Sequence, residues 1–98
     1  MSYREILEQD RRLVVLRALS QTPQYKANEY VLRGVLEEFG HIVGTDRLRA
    51  DLDWLAEQGL VTVEEVGAVI VASITARGAD VADGRTRVHG VKLPEPGA

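Results

Sequence analysis

Arg47 and Arg49 stand two apart at the start of a leucine-lined segment, and guanidinium groups so placed can donate to phosphate oxygens or to base edges. Little else in the chain is spaced for reaction. Glu37 with Glu38, and Glu64 with Glu65, are adjacent carboxylates, which diverge on a helix or strand and so form no facing acid–base pair. Ser2, Ser20 and Ser73 have no histidine at a recognisable spacing. His41 and His89 are isolated, and with no cysteine in the chain they complete no metal-ligand set. Gly34, Gly40, Gly44 and Gly59 make no phosphate-cradling loop. These residues predict no enzyme, no cofactor and no metal centre.

The elements that must position the arginines can be read from capping and periodicity. Ser2 and Glu5 have the spacing of a capping box, so a first helix is expected from near Tyr3 to about Ser20, closed by Gln21, Thr22 and Pro23. Its second half is apolar nearly all round, with Leu13, Val14, Val15, Leu16, Ala18 and Leu19 leaving mainly Arg17 polar. Two buried faces are implied. One serves the core; the other, carrying Leu13, Leu16 and Leu19, is expected to contact a second copy as a dimer interface. Asn28 is placed to cap a second helix from Glu29 to Phe39, ended by Gly40. After a short link from His41 to Gly44, Thr45 is expected to cap a third helix from Asp46 to about Gln58, with Leu48, Leu52 and Leu55 along its buried line and Gly59 at its end.

Beyond Gly59 the period changes to two. Val61–Glu64 and Val69–Thr75 alternate around Gly67, the pattern of a β-hairpin, and Ala76–Asp83 reads as a short fourth helix closed by Gly84. Residues 1–93 are expected to form one domain and 94–98 a loose tail. Hydrophobic residues make up 45% of the 98-residue chain and charged residues 28%, the balance of an ordinary folded domain rather than a disordered one. No run approaches the roughly 18 apolar residues of a membrane span, and the start lacks the order of a signal peptide, so a cytoplasmic protein with no membrane partner is expected.

Three helices followed by a hairpin is the element order of an α+β winged helix-turn-helix domain, with residues 45–58 as its reader helix and 61–75 as its wing. The tract LDWLAEQGLV, residues 52–61, resembles the junction between reader helix and wing in ArsR-like and MarR-like regulators. SITARGADVADG, residues 73–84, is similar to the segment that ends the wing and begins the next helix there. With RRLVVLRAL, YKANEYVL and the terminal HGVKLPEPG, the combination most resembles the small ArsR-like winged-helix proteins of Mu-like phages and prophages. That resemblance implies a transcriptional regulator that binds double-stranded DNA as a homodimer. Metal sensing, which other ArsR-like proteins perform through cysteine or histidine–carboxylate ligands, does not carry over.

On that reading Thr45, Arg47 and Arg49 at the start of the reader helix, with Arg85 and Arg87 beyond the fourth helix, are the candidate DNA contacts. The charge pattern pulls the other way. Net charge is −3, and residues 41–75 carry only Arg47 and Arg49 against six carboxylates. With the leucines inward, Asp46, Ala50, Asp53 and Glu57 face outward, and the wing tip at Val66, Gly67 and Ala68 has no cation. Either Arg47 and Arg49 are free enough to reach DNA, or they pair with Asp51 and Asp53 and the fold serves as a protein-interaction module in phage regulation or assembly. Arg11, Arg12 and Arg17 are expected as solvated surface, and Trp54 as a packing residue.

Overall fold

The first helix forms where its cap predicts. In a computed structural model that describes residues 1–96, α1 runs Tyr3–Gln21, and the Ser2 hydroxyl accepts from the Glu5 N–H at 3.2 Å while donating to the Glu5 carboxylate. Gly97 and Ala98, in the expected tail, lie outside the described residues. Thr22 and Pro23 end the helix, and a tight turn follows in which Gln24 and Tyr25 both take positive φ, near +60°. That turn reverses the chain into Lys26–Asn28, a three-residue strand, β1.

Asn28 then begins α2, Glu29–Glu38, by accepting from the N–H groups of Tyr30 and Val31 at 2.9 Å each. The third helix, α3, spans Thr45–Glu57. Gly44 occupies its cap position, so Thr45 is the first helical residue rather than the cap, and its hydroxyl accepts from Arg33 Nη1 at 3.2 Å. Gly59, at φ +76°, adopts the left-handed conformation that lets the chain leave α3 and turn into the sheet.

β2, Val61–Val66, and β3, Val69–Ile74, form the expected hairpin through Gly67. The sheet contains one strand more than the sequence reading gives. β1 pairs antiparallel with β3, Asn28 opposite Val71, so the order is β1-β3-β2 with β3 in the middle. The complete sequence α1-β1-α2-α3-β2-β3 is a winged helix-turn-helix topology, followed by α4, Ala76–Ala82, which Thr75 caps by accepting from the Gly78 N–H.

The core is built on leucine. Leu16, Leu19, Leu32, Leu36, Leu48, Leu52, Leu55 and Leu60 are all buried, each worth roughly 2 kcal/mol relative to exposure. Leu13, Leu16 and Leu19 require a correction. Expected at a dimer contact, they are 4%, 0% and 0% exposed within the single chain. The second apolar face of α1 is covered by the chain's own α4 and sheet, with α2 on the other side, so Leu16 and Leu19 have no surface left for another copy and Leu13 has almost none. Residues after α4 complete this wrapping. Val88 and Val91 join the core, and the Lys92 N–H donates to the Gln9 carbonyl of α1 at 3.1 Å.

Gly78 explains part of the ITARG segment. It lies in the first turn of α4 against the backbone where α3 hands over to β2, and a methyl group there would run into the Leu60 carbonyl oxygen and stand 2.8 Å from Ile74. Only glycine lets α4 approach this closely.

Candidate nucleic-acid interface

The outward face of α3 is the one the leucine line dictates: Asp46, Ala50, Asp53 and Glu57 are all exposed, while Leu48, Leu52 and Leu55 are buried. Arg47, in the first turn, is exposed and makes no ion pair among the described residues. The fold brings it beside Arg4 of α1. Both border a shallow hollow of about 270 Å³ that Tyr3, Leu7 and Glu8 also line. Arg4 had no local signal to mark it, because only the packing of α1 against the start of α3 makes it a neighbour of Arg47.

Arg49 is committed elsewhere. It is bound neither to Asp53 nor to solvent alone, but donates two hydrogen bonds, at 2.8 and 2.9 Å, to the carboxylate of Glu29. Glu29 is the first residue of α2 and is wholly buried. It also accepts from the backbone N–H of Ile70 in β3 at 2.8 Å, and Arg49 donates further to the Ala68 carbonyl at the wing turn, 3.3 Å away. The Arg49 and Ile70 donors hold the Glu29 carboxyl at about 2, against the burial that would raise it. One carboxylate thus ties α2, α3 and the wing together. Arg49 keeps part of its surface, with 42% of the side chain exposed, yet its hydrogen-bonding edge is occupied by the protein.

Two other arginines of α1, Arg11 and Arg12, also depart from the expected solvated surface. Arg11 is buried and forms a two-point contact with the buried Asp51 of α3, its Nη2 lying 3.2 Å from Asp51 Oδ1. Arg12 lies over the Trp54 ring at 4.0 Å and donates to the Gly90 carbonyl at 3.1 Å. Asp51 therefore faces α1 and not the arginines of its own helix. Trp54 packs as expected, holding the C-terminal segment through Arg12 and Gly90. His41 is buried and sits 2.6 Å from Asp10, which also meets Lys92 at 3.4 Å.

Arg85 and Arg87 are exposed beyond α4. Arg85 lies 3.7 Å from Asp80 and 3.9 Å from Asp83, and neither arginine is bonded to α3 or to the wing among the described residues. The wing tip is uncharged, with exposed Glu64 and Glu65 leading into it. Of the five candidate DNA contacts, the fold places Thr45, Arg47 and Arg49 on one helix end, turns Arg49 and Thr45 toward protein partners, and leaves Arg47 open. Among the described residues no group of three histidine, cysteine or carboxylate side chains is disposed to hold a metal ion, and no helix is long and apolar enough to cross a membrane.

This chain is 51% identical over 94 residues to gp26 of Escherichia phage Mu, an overlap covering 96% of this chain and 97% of that protein. It is 47% identical over 78 residues to a protein of Haemophilus influenzae, covering 79% of this chain and 76% of that one. No family model matches the sequence. No solved structure matches it either.

Proposed function

The chain belongs to the family of the phage Mu protein gp26, and from that premise we propose that it is a non-enzymatic regulator that binds double-stranded DNA through the first turn of α3. The observation that carries this reading is Arg47: an exposed guanidinium without an ion pair among the described residues, at the helix end that a winged helix-turn-helix directs to the major groove, with Arg4 lining the same hollow. Descent from ArsR-like or MarR-like regulators is part of the same reading, supported by the 52–61 and 73–84 tracts. So is action as a homodimer in the cytoplasm, with a contact that excludes Leu13, Leu16 and Leu19.

Contact would be made mainly to phosphate. Asp46, Asp53 and Glu57 oppose deep entry of α3, because carboxylates in the groove repel the backbone and can accept only from cytosine amino groups. Arg47 and Arg4 would position the helix end on the backbone, while Arg49 acts indirectly by holding the wing beside it. Modest affinity with a shallow dependence on salt follows from so few cations.

A second reading is favoured by that same outward face. Three exposed carboxylates on α3, with Glu64 and Glu65 on the wing, form a surface better matched to a basic protein partner than to phosphate. Binding of the whole chain to random-sequence duplex DNA across a salt series separates the two. The regulator requires measurable binding at low salt and a log–log slope that falls by about 1 in Arg47→Ala. No binding at low salt by the wild-type chain overturns it in favour of protein contact.

A further inference from the structure

The hollow of about 270 Å³ between α1 and the start of α3 carries an excess of positive charge. Arg4, Arg11 and Arg47 line it against Glu8 alone, with Tyr3 and Leu7 as its apolar wall. Arg11 and Glu8 are already matched within the chain. Buried Asp51 binds the Arg11 guanidinium, and Glu8 lies 3.7 Å from Arg12 on its own helix. Arg4 and Arg47 are exposed and have no ion pair or hydrogen bond among the described residues, so their two positive charges stand unanswered. The carboxylates next to them in sequence, Glu5 and Asp46, do not line the hollow, and Glu5 is turned to the Ser2 hydroxyl, 3.2 Å away.

We infer that one sugar–phosphate unit of a DNA strand lies in this hollow, its phosphate between Arg4 and Arg47 and its deoxyribose against Tyr3 and Leu7. This placement rests on the reading of α3 as a DNA contact and extends that contact to the first turns of α1. Size favours a stretch of a long molecule over an enclosed ligand, because about 270 Å³ falls below the roughly 300–1,000 Å³ of sites that surround small molecules. Chemistry favours the nucleic-acid backbone, in which an anion alternates with an uncharged sugar. Two guanidiniums answer the phosphate, and an apolar wall answers the sugar. Tyr3 leaves 76% of its surface open and Leu7 37%, so both are available to a strand. Such a contact reads no base and fixes register only. Arg11 is a positioning residue here, since its bond to Asp51 clamps α1 to α3 and so sets the spacing of Arg4 and Arg47.

The test extends the salt series on random-sequence duplex DNA to Arg4→Ala and Tyr3→Ala in the whole chain. Arg4→Ala should lower the log–log slope by about 1, the loss of one phosphate contact. Tyr3→Ala should weaken binding about threefold at every salt concentration and leave the slope unchanged, because it removes apolar contact and no charge. The Tyr3→Ala loss should be equal on poly(dA·dT) and poly(dG·dC), which share the same sugar. Unfolding midpoints of both variants should match wild type, since both side chains are exposed. No binding by the wild-type chain removes the DNA reading and this placement together. Binding that weakens in Arg47→Ala but in neither Arg4→Ala nor Tyr3→Ala overturns this placement alone. Poly-glutamate bound as tightly as the duplex, with the same loss in Arg4→Ala, overturns it in favour of an acidic protein segment.

Discussion

The Arg49 guanidinium and the Glu29 carboxylate meet edge to edge, at 2.8 and 2.9 Å, across the angle between the two helices of the helix-turn-helix. Because Glu29 also receives the Ile70 N–H, the pair sets where the wing stands relative to α3. An arginine expected from the sequence to reach out from the start of α3 is thus an internal strut.

Glu29→Gln should lower the urea midpoint of unfolding at neutral pH, since the neutral amide cannot answer the Arg49 charge. The pH dependence gives the sharper test. With the folded carboxyl near 2 and its ordinary value at 4.5, the stabilisation is complete above about pH 5 and is lost as pH falls toward 2. The gap between wild type and Glu29→Gln should therefore be constant from pH 5 to 7 and close progressively below. A gap unchanged down to pH 2 would show that the charge of Glu29 contributes nothing.

Asp51→Asn leaves the buried Arg11 guanidinium without its counter-charge and should cost about 3 kcal/mol in chemical denaturation. Adding Arg11→Met should recover much of that loss, since the uncompensated charge is then gone. Additive losses in the double-mutant cycle would contradict the pairing.

Two glycines should respond in opposite directions to alanine. Gly78→Ala forces a methyl group against the Leu60 carbonyl and should destabilise by about 3 kcal/mol. Gly34→Ala, inside α2 with nothing within 4 Å of the added methyl, should stabilise by about 0.5–1 kcal/mol. Thermal unfolding of both variants checks the contrast.

Leu16→Ala should cost about 2–5 kcal/mol, because the side chain is wholly buried in the domain core. Sedimentation of the folded variant should match wild type at every concentration. A change in its association state would restore Leu16 to an intersubunit contact.

Local chemistry was legible in the sequence and long-range pairing was not. The Ser2 and Asn28 caps, the leucine line of α3 and the alternation around Gly67 are each fixed by neighbours within a few positions, and each stands where the pattern put it. β1 escaped because three residues carry no periodicity; Lys26–Asn28 is a strand only because Ser73, Ala72 and Val71 pair with it. The same limit misplaced the arginines. Helix spacing offers Asp53 to Arg49, whereas the actual partner is Glu29, twenty residues back. Arg11 looked like surface because its acceptor lies forty residues away. For Leu13, Leu16 and Leu19 the wheel counted apolar faces correctly, but the sequence does not say that α4 and the sheet will cover the second one.

Asn28 is at once the residue opposite Val71 and the cap of α2, so sheet and helix-turn-helix adjoin with no intervening spacer. Any residue inserted between Lys26 and Glu29 would either unseat the cap or turn α2 by about 100° about its axis, carrying Glu29 away from Arg49. Length variation among relatives should accordingly be barred from this joint and concentrated at the hairpin turn around Gly67, where, among the described residues, the bond of Ala68 to Arg49 is what ties the turn to the rest of the domain.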